Sequence, residues 1–325
     1  MPINIAIIGF GTVGSALYRQ LSQLPDYHVK HILVKDDTKR RLLSDYLTTT
    51  ITTDTRRVLH DPAVAIVLEA IDDAEAAASY AEQVLTQGKV YISANKKMLA
   101  SEVEALHRLA VRREGKLYYE AAVAGAIPVL RVVREHLSAE PLLRIRGVLN
   151  GSCNYILTRM EQGGLSYGQA LREAQHKGFA ESDPRLDVDG WDASYKAMLL
   201  AYEAFGYLPR EQEVRRSGIA HLTREDVDQA AALGTKLKLV ATISTRRGVP
   251  TVEVGVEAIT PQDPLYGVDR ELNAVQLSCK NAGELLLQGA GAGGAATASA
   301  MVGDLQSAKA WLTRETKTKG ERATG

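Results

Sequence analysis

The stretch Gly9-Phe10-Gly11-Thr12-Val13-Gly14 constrains this chain more than any other, because of what flanks it. Before it, Ile3 to Ile8 is a short run of mostly β-branched apolar residues, the pattern of a strand buried on both faces of a parallel sheet. After it, Ser15 to Leu24 has the spacing of a helix. A G-x-G-x-x-G between a strand and a helix is the dinucleotide-binding arrangement: the glycines allow a tight turn and close backbone approach, and the helix N-terminus meets the pyrophosphate. Its alternative, a glycine-rich turn that only packs a helix closely, leaves the rest of the chain unexplained.

The strand-helix alternation continues. His28 to Val34 reads as the second strand and ends about where the ribose-selecting residue of such folds belongs. There Lys35 and the following Arg40 and Arg41 offer cations for a 2′-phosphate, and Asp36 and Asp37 offer carboxylates for a 2′-hydroxyl. The sequence leans to NADP, with NAD also open. Val64 to Glu69 and Lys89 to Ser93 are further buried strands around a helix from Ala74 to Thr86, and Lys116 to Glu120 follows a helix from Ser101 to Glu114. The expected fold is α/β, a Rossmann-type doubly wound parallel sheet over residues 1–128. Ser93 and Lys96 follow a strand at its carboxyl end, where such sheets bind ligands.

A chain of 325 residues calls for a second domain. From Leu143 onward, apolar and polar residues alternate, as in half-buried antiparallel strands: Leu143 to Leu149, Lys236 to Ile243, Thr251 to Glu257, Ala274 to Leu277 and Leu285 to Gln288. An α+β substrate and dimerisation domain with an open mixed sheet is expected over 129–290, and one sheet face or edge needs a partner copy. Gly289 to Gly294 then precedes a small-residue helix, read as the chain's return to the cofactor domain over 291–312, with a polar tail over 313–325. Lys plus Arg and Asp plus Glu are each 39, so no charge excess points to nucleic acid. Two cysteines, Cys153 and Cys279, argue against a disulfide scaffold, and no stretch is apolar enough to span a bilayer. The expectation is a cytoplasmic protein without membrane or nucleic-acid partners.

The second concentration of chemistry lies between Gly178 and Lys196, where five carboxylates surround a Pro and a Gly and lead into an apolar helix. Asp192 and Lys196 are four apart, so they share a helical face as the helix enters the protein. Asn150-Gly151-Ser152-Cys153-Asn154 is a polar turn feeding a helix over Tyr155 to Gln162, a natural carboxylate site.

With these motifs, Ala94-Asn95-Lys96, and Gly291-Ala292-Gly293 before Thr297-Ala298, all in order over nearly the whole chain, the sequence closely resembles homoserine dehydrogenase in its short form, without a C-terminal regulatory domain. The resemblance implies NAD(P)-dependent interconversion of L-homoserine and L-aspartate 4-semialdehyde in threonine, methionine and isoleucine biosynthesis, by a dimer. It makes Lys196 the principal acid/base and Lys96 its partner. Substrate binding falls to Glu181 and Asp192, with the amides of Gly151 and Ser152 for the carboxylate. Cofactor contacts fall to Gly9, Phe10, Gly11, Thr12, Val13, Gly14, Lys35, Ser93, Lys96, Gly178 and Gly293. A monovalent cation, sodium or potassium, matches Glu120, Val123, Gly125 and Ile127. Two lysines converging on an apolar site would each lower the other's pKa, as a base requires.

Two departures from the family pattern stand out. Asp72-Asp73 replaces a glycine pair, and Lys35 stands where many members have arginine. Two other readings compete: a semialdehyde dehydrogenase using Cys153 as nucleophile with His176 as base, and a dinucleotide sensor without catalysis.

Overall fold

A computed structural model describes residues 2–39, 48–246 and 248–324, with side chains of the last helix described through Glu315. Arg40 and Arg41 lie outside the described residues. The chain divides into two compact units, residues 1–122 with 293–325, and residues 123–292.

In the first unit six parallel strands, β1 (Ile3–Ile8), β2 (Tyr27–Leu33), β3 (Thr50–Thr52), β4 (Ile66–Glu69), β5 (Val90–Ser93) and β6 (Lys116–Tyr118), lie in the order β3-β2-β1-β4-β5-β6. The order reverses beside β1, so the carboxyl ends of β1 and β4 flank the crevice where such sheets take ligands. β1 reads as a buried strand because it is one: Ile5, Ala6, Ile7 and Ile8 are at most 1% exposed. The connecting helices are α1 (Thr12–Leu21), α2 (Thr55–Leu59), α3 (Ala74–Thr86) and α4 (Lys96–Arg112). The last helix, Gly294–Thr324, returns to this unit and buries Ala298, Met301, Leu305 and Ala308 in the same core as Leu17 and Leu21 of α1. It continues past Leu312, where the sequence reading ends it.

Two helix starts differ from the sequence reading for one reason. α4 begins at Lys96, five residues before Ser101, because the Asn95 side chain accepts from the Met98 amide and caps it. In the second unit α6 (Gly151–Gly163) begins four residues before Tyr155, because Asn150 caps it in the same way through the Cys153 amide.

The second unit opens with Ala124 and Gly125 both at positive φ, then a single helical turn, α5 (Val129–Arg131), passing into a π-helical turn over Val132–His136. Its sheet comprises β7 (Leu142–Val148), β8 (Arg215–Arg216), β9 (Lys236–Arg246), β10 (Val249–Ile259), β11 (Leu272–Cys279) and β12 (Gly283–Ala290), in the order β12-β11-β7-β9-β10-β8. Every pairing is antiparallel except β10 with β8, which makes the sheet mixed. Helices α6, α7 (Tyr167–His176), α8 (Arg185–Val188), α9 (Trp191–Phe205) and α10 (Arg224–Ala232) complete the unit. Arg146 of β7 is paired with Glu257 at 2.7 Å and Asp263 at 2.6 Å.

Candidate active site

The glycine loop of the first unit separates into three roles. A Cβ on Gly9, whose φ is +92°, would lie 2.5 Å from the Ala70 carbonyl oxygen, and one on Gly14 would lie 2.1 Å from the carbonyl oxygen of Gly9. Both glycines are therefore required by the protein's own packing. Around Gly11, apart from its chain neighbours and its own helix, no atom of the described residues lies within 4 Å of the Cβ position. That open space is what a ligand approaching the backbone needs. Gly11 is also the N-cap of α1 and supplies no side-chain acceptor, whereas Asp54, Asp73 and Asn95 cap α2, α3 and α4. The first amides of α1 are thus left to an external anion. Phe10 packs edge-on against Tyr18, and Thr12 is exposed while Val13 is half-buried. Gly293, at φ +104°, has an open Cβ position as well, and Gly294 next to it would meet Thr12 at 2.9 Å. The return of the chain accordingly lies against the glycine loop. The groove beside it has a volume of about 710 Å³ and is also lined by Lys35, Asp72 and Asp73. These residues fit a dinucleotide.

Lys35 is not poised on its own: its Nζ lies 3.6 Å from an Asp73 oxygen. Ser93 is fully buried. Its hydroxyl donates to Glu69 at 2.6 Å and accepts from the Asn95 amide at 3.0 Å. Glu69, at the end of β4 and also fully buried, accepts in addition from the Ile71 amide at 2.7 Å, and Asn95 Nδ2 donates to the Ile71 carbonyl. Burial pushes the Glu69 carboxyl up to about 7 against these hydrogen bonds. The network ties the β4 and β5 loops together and presents Lys96, half-buried, as the first residue of α4.

In the second unit the predicted Asp192–Lys196 pair is present and buried, at 5% and 7% exposure. Lys196 Nζ donates to Asp192 Oδ2 and to the Leu149 carbonyl, each at 2.7 Å. Asn273 Nδ2 donates to the same carbonyl. The centre of the cluster is Asn150, which the sequence reading named in the polar turn without giving its side chain a role. Asn150 donates through Nδ2 to Asp187 Oδ1 at 2.7 Å and to Asp192 Oδ2 at 2.9 Å. Asp187, only one of five acids in the sequence, is thereby singled out. Its carboxyl is raised by burial and then by neighbouring Asp192. Within its own unit Lys196 therefore has acidic neighbours. Lys96 belongs to the other unit.

Ser152 donates to the Phe179 carbonyl at 2.5 Å, and a Cβ on Gly151 would lie 2.7 Å from the Glu271 carbonyl oxygen. The amides of these two residues open α6, ahead of the first residue with an intrahelical acceptor. Glu181 lies exposed on the loop after α7, and among the described residues no hydrogen bond or ion pair ties its carboxylate to the cluster. Gly178, at φ +76°, follows the end of α7 with its Cβ position open. Cys153 is buried, with Sγ 3.2 Å from the Asp187 carbonyl, and burial followed by the Asp187 and Asp192 charges pushes its thiol well above the ordinary value. A thiol held protonated is a poor nucleophile. His176 is exposed at the end of α7.

The cation residues are split by the unit boundary. Glu120, buried, belongs to the first unit, and Val123, Gly125 and Ile127 belong to the second. A Cβ on Gly125 would lie 2.5 Å from Gly291, and the Ile127 carbonyl already accepts from the Val129 amide.

Comparison with known proteins places these observations in a family. Residues 9–120 match the model for the homoserine dehydrogenase NAD-binding domain, and residues 128–306 match the homoserine dehydrogenase model. The chain is 35% identical to homoserine dehydrogenase of Lactococcus lactis over 317 residues, covering 94% of this chain and 74% of that protein. It is likewise 35% identical to the Bacillus subtilis enzyme, covering 93% and 72%. Among solved structures, homoserine dehydrogenase from Thiobacillus denitrificans superposes with a TM-score of 0.92 at 32% identity, over 97% of this chain and 74% of that one. A hyperthermophilic archaeal homoserine dehydrogenase in complex with NADPH superposes with a TM-score of 0.81 at 27% identity, over 95% and 98%. The chain belongs to the homoserine dehydrogenase family.

Proposed function

We propose that Lys196 is the proton-transfer residue of an NAD(P)-dependent homoserine dehydrogenase, and that the reaction interconverts L-homoserine and L-aspartate 4-semialdehyde. The observation that carries this reading is the placement of Nζ. An ammonium has three hydrogens. Two are directed to Leu149 and Asp192, inside the protein, which fixes the direction of the third. A bound nicotinamide would supply the acceptor for the hydride from C4 of homoserine, or the hydride for the aldehyde carbon in the reverse direction. In the reducing direction the Lys196 ammonium gives its proton to the aldehyde oxygen as that oxygen gains charge. In the oxidising direction the neutral amine receives the hydroxyl proton. Lys96 serves as the partner that orients the same oxygen and contacts the cofactor.

Homoserine carries an ammonium and a carboxylate. The ammonium is assigned to Asp192 and Glu181, joined by Asp187, whose raised carboxyl gains most from a cation beside it. The carboxylate is assigned to the first amides of α6, at Gly151 and Ser152. Gly9 to Gly14, Lys35, Gly178 and Gly293 are assigned to the cofactor, with Ser93 acting through Glu69 and Asn95. A sodium or potassium ion on the carbonyl oxygens of Glu120, Val123, Gly125 and Ile127 is part of the reading. The kind of donor suits a hard cation, and the chemistry above does not pass through it. The protein is proposed to act as a cytoplasmic homodimer. Among the described residues no helix is long and apolar enough to cross a membrane.

The test is homoserine carrying deuterium at C4. Its deuterium should appear on the reduced nicotinamide, with no reduction in the absence of homoserine. Cofactor binding without any homoserine-dependent reduction would overturn the proposal.

A further inference from the structure

The end of the glycine-loop groove next to β2 is where the cofactor's adenosine ribose belongs. Among the described residues, five charged side chains line the groove: Lys35, Lys39, Asp36, Asp72 and Asp73. Among these, two cations thus face three carboxylates. Asp73 is held there by the fold. One of its oxygens accepts from the Ala76 amide at 3.1 Å and caps α3, and the other lies 3.6 Å from Lys35 Nζ. The helix amide favours the ionised form of this carboxyl.

We infer that this groove selects the dinucleotide without a 2′-phosphate, and that Asp73 is the selecting residue. The inference rests on the reading of the groove as a dinucleotide site. A 2′-phosphate brings close to two further negative charges. It would meet the Asp73 carboxylate, and Lys35, the cation that follows β2, is engaged by that same carboxylate. A 2′-hydroxyl needs only an acceptor, and Asp36 stands on the same wall. The Lys35–Asp73 pair is exposed and weak in itself. Its effect comes from the charge that Asp73 adds beside the position of the phosphate, so removing that charge should matter more than breaking the contact.

Calorimetric binding of NAD+ and NADP+ to the full chain tests this directly, in wild type, Asp73→Asn, and Asp73→Asn combined with Lys35→Ala. Asparagine keeps the helix cap, so the first variant retains its fold. Wild type should bind NAD+ more tightly than NADP+. Asp73→Asn should raise NADP+ affinity on the order of ten-fold, with a smaller change for NAD+. The gain should shrink as salt is added and disappear in the double variant. NADP+ bound by wild type at least as tightly as NAD+, or an affinity ratio unchanged in Asp73→Asn, would overturn the inference. Failure to bind either dinucleotide would remove the cofactor reading, and the inference with it.

Discussion

Asn150→Ala should be the most informative single change in the second unit, because one amide performs three tasks. Its Oδ1 caps α6 through the Cys153 amide, and its Nδ2 separates Asp187 from Asp192. Loss of an N-cap costs about 1 kcal/mol, and each hydrogen bond to a charged group is worth about 1.5–3 kcal/mol. Together these come to about 4–7 kcal/mol at high pH, of which water can replace part. The cost should depend on pH. Asp187 has a raised carboxyl, so its ionised form is already penalised in the folded state; that penalty is full above the folded pKa and is relieved as pH falls toward the ordinary carboxylate range. Without the amide the folded pKa rises further, and at low pH a proton can bridge the two carboxylates in its place. Destabilisation should therefore be smaller near pH 5.5 than near pH 8. Urea unfolding followed by Trp191 fluorescence in a Trp311→Phe background reads this unit alone, because Trp191 opens α9 and the chain has only two tryptophans. A loss below about 1 kcal/mol, or the same loss at both pH values, would refute the reasoning.

Three further outcomes follow from the geometry. Gly11→Ala should leave stability within about 1 kcal/mol while weakening dinucleotide binding, whereas Gly14→Ala should fail to fold normally, because only the latter Cβ meets protein backbone; thermal unfolding with and without cofactor separates the two. Glu69, raised from 4.5 to about 7, makes the folded state less stable as pH rises through that window, by up to about 3 kcal/mol. Glu69→Gln should flatten this slope of melting temperature against pH while keeping one acceptor oxygen, for the Ile71 amide. Cys153→Ser should retain most of the homoserine-dependent activity, since the thiol is buried and held protonated; its loss would revive a thioester mechanism.

Much of this was legible in the sequence because the relevant signals are local. The strand, glycine loop and helix at the N-terminus are consecutive, and Asp192 and Lys196 lie one helical turn apart. Asn150 and Asn95 were named within their motifs but given no capping role, although each is an asparagine at the start of a helix, which also explains why both helices begin earlier than their apolar periodicity indicates. Asp187 could not be separated from its four acidic neighbours, because burial and a partner 37 positions away distinguish it, and neither is written in spacing. The same holds for Asp73, whose contact with Lys35 joins the ends of two strands that are not consecutive in the sequence. The three-residue edge strand Thr50–Thr52 has too short a pattern to be read at all.

The central claim is that a lysine held by Asp192 and Leu149 moves the proton. Nicotinamide reduction with L-homoserine should be measured in wild type and Lys196→Ala, alongside cofactor affinity, which reads the first unit. The account predicts a fall in rate of about two or more orders of magnitude, with cofactor affinity retained. A Lys196→Ala protein that retained its fold and turned over homoserine at the wild-type rate would contradict it.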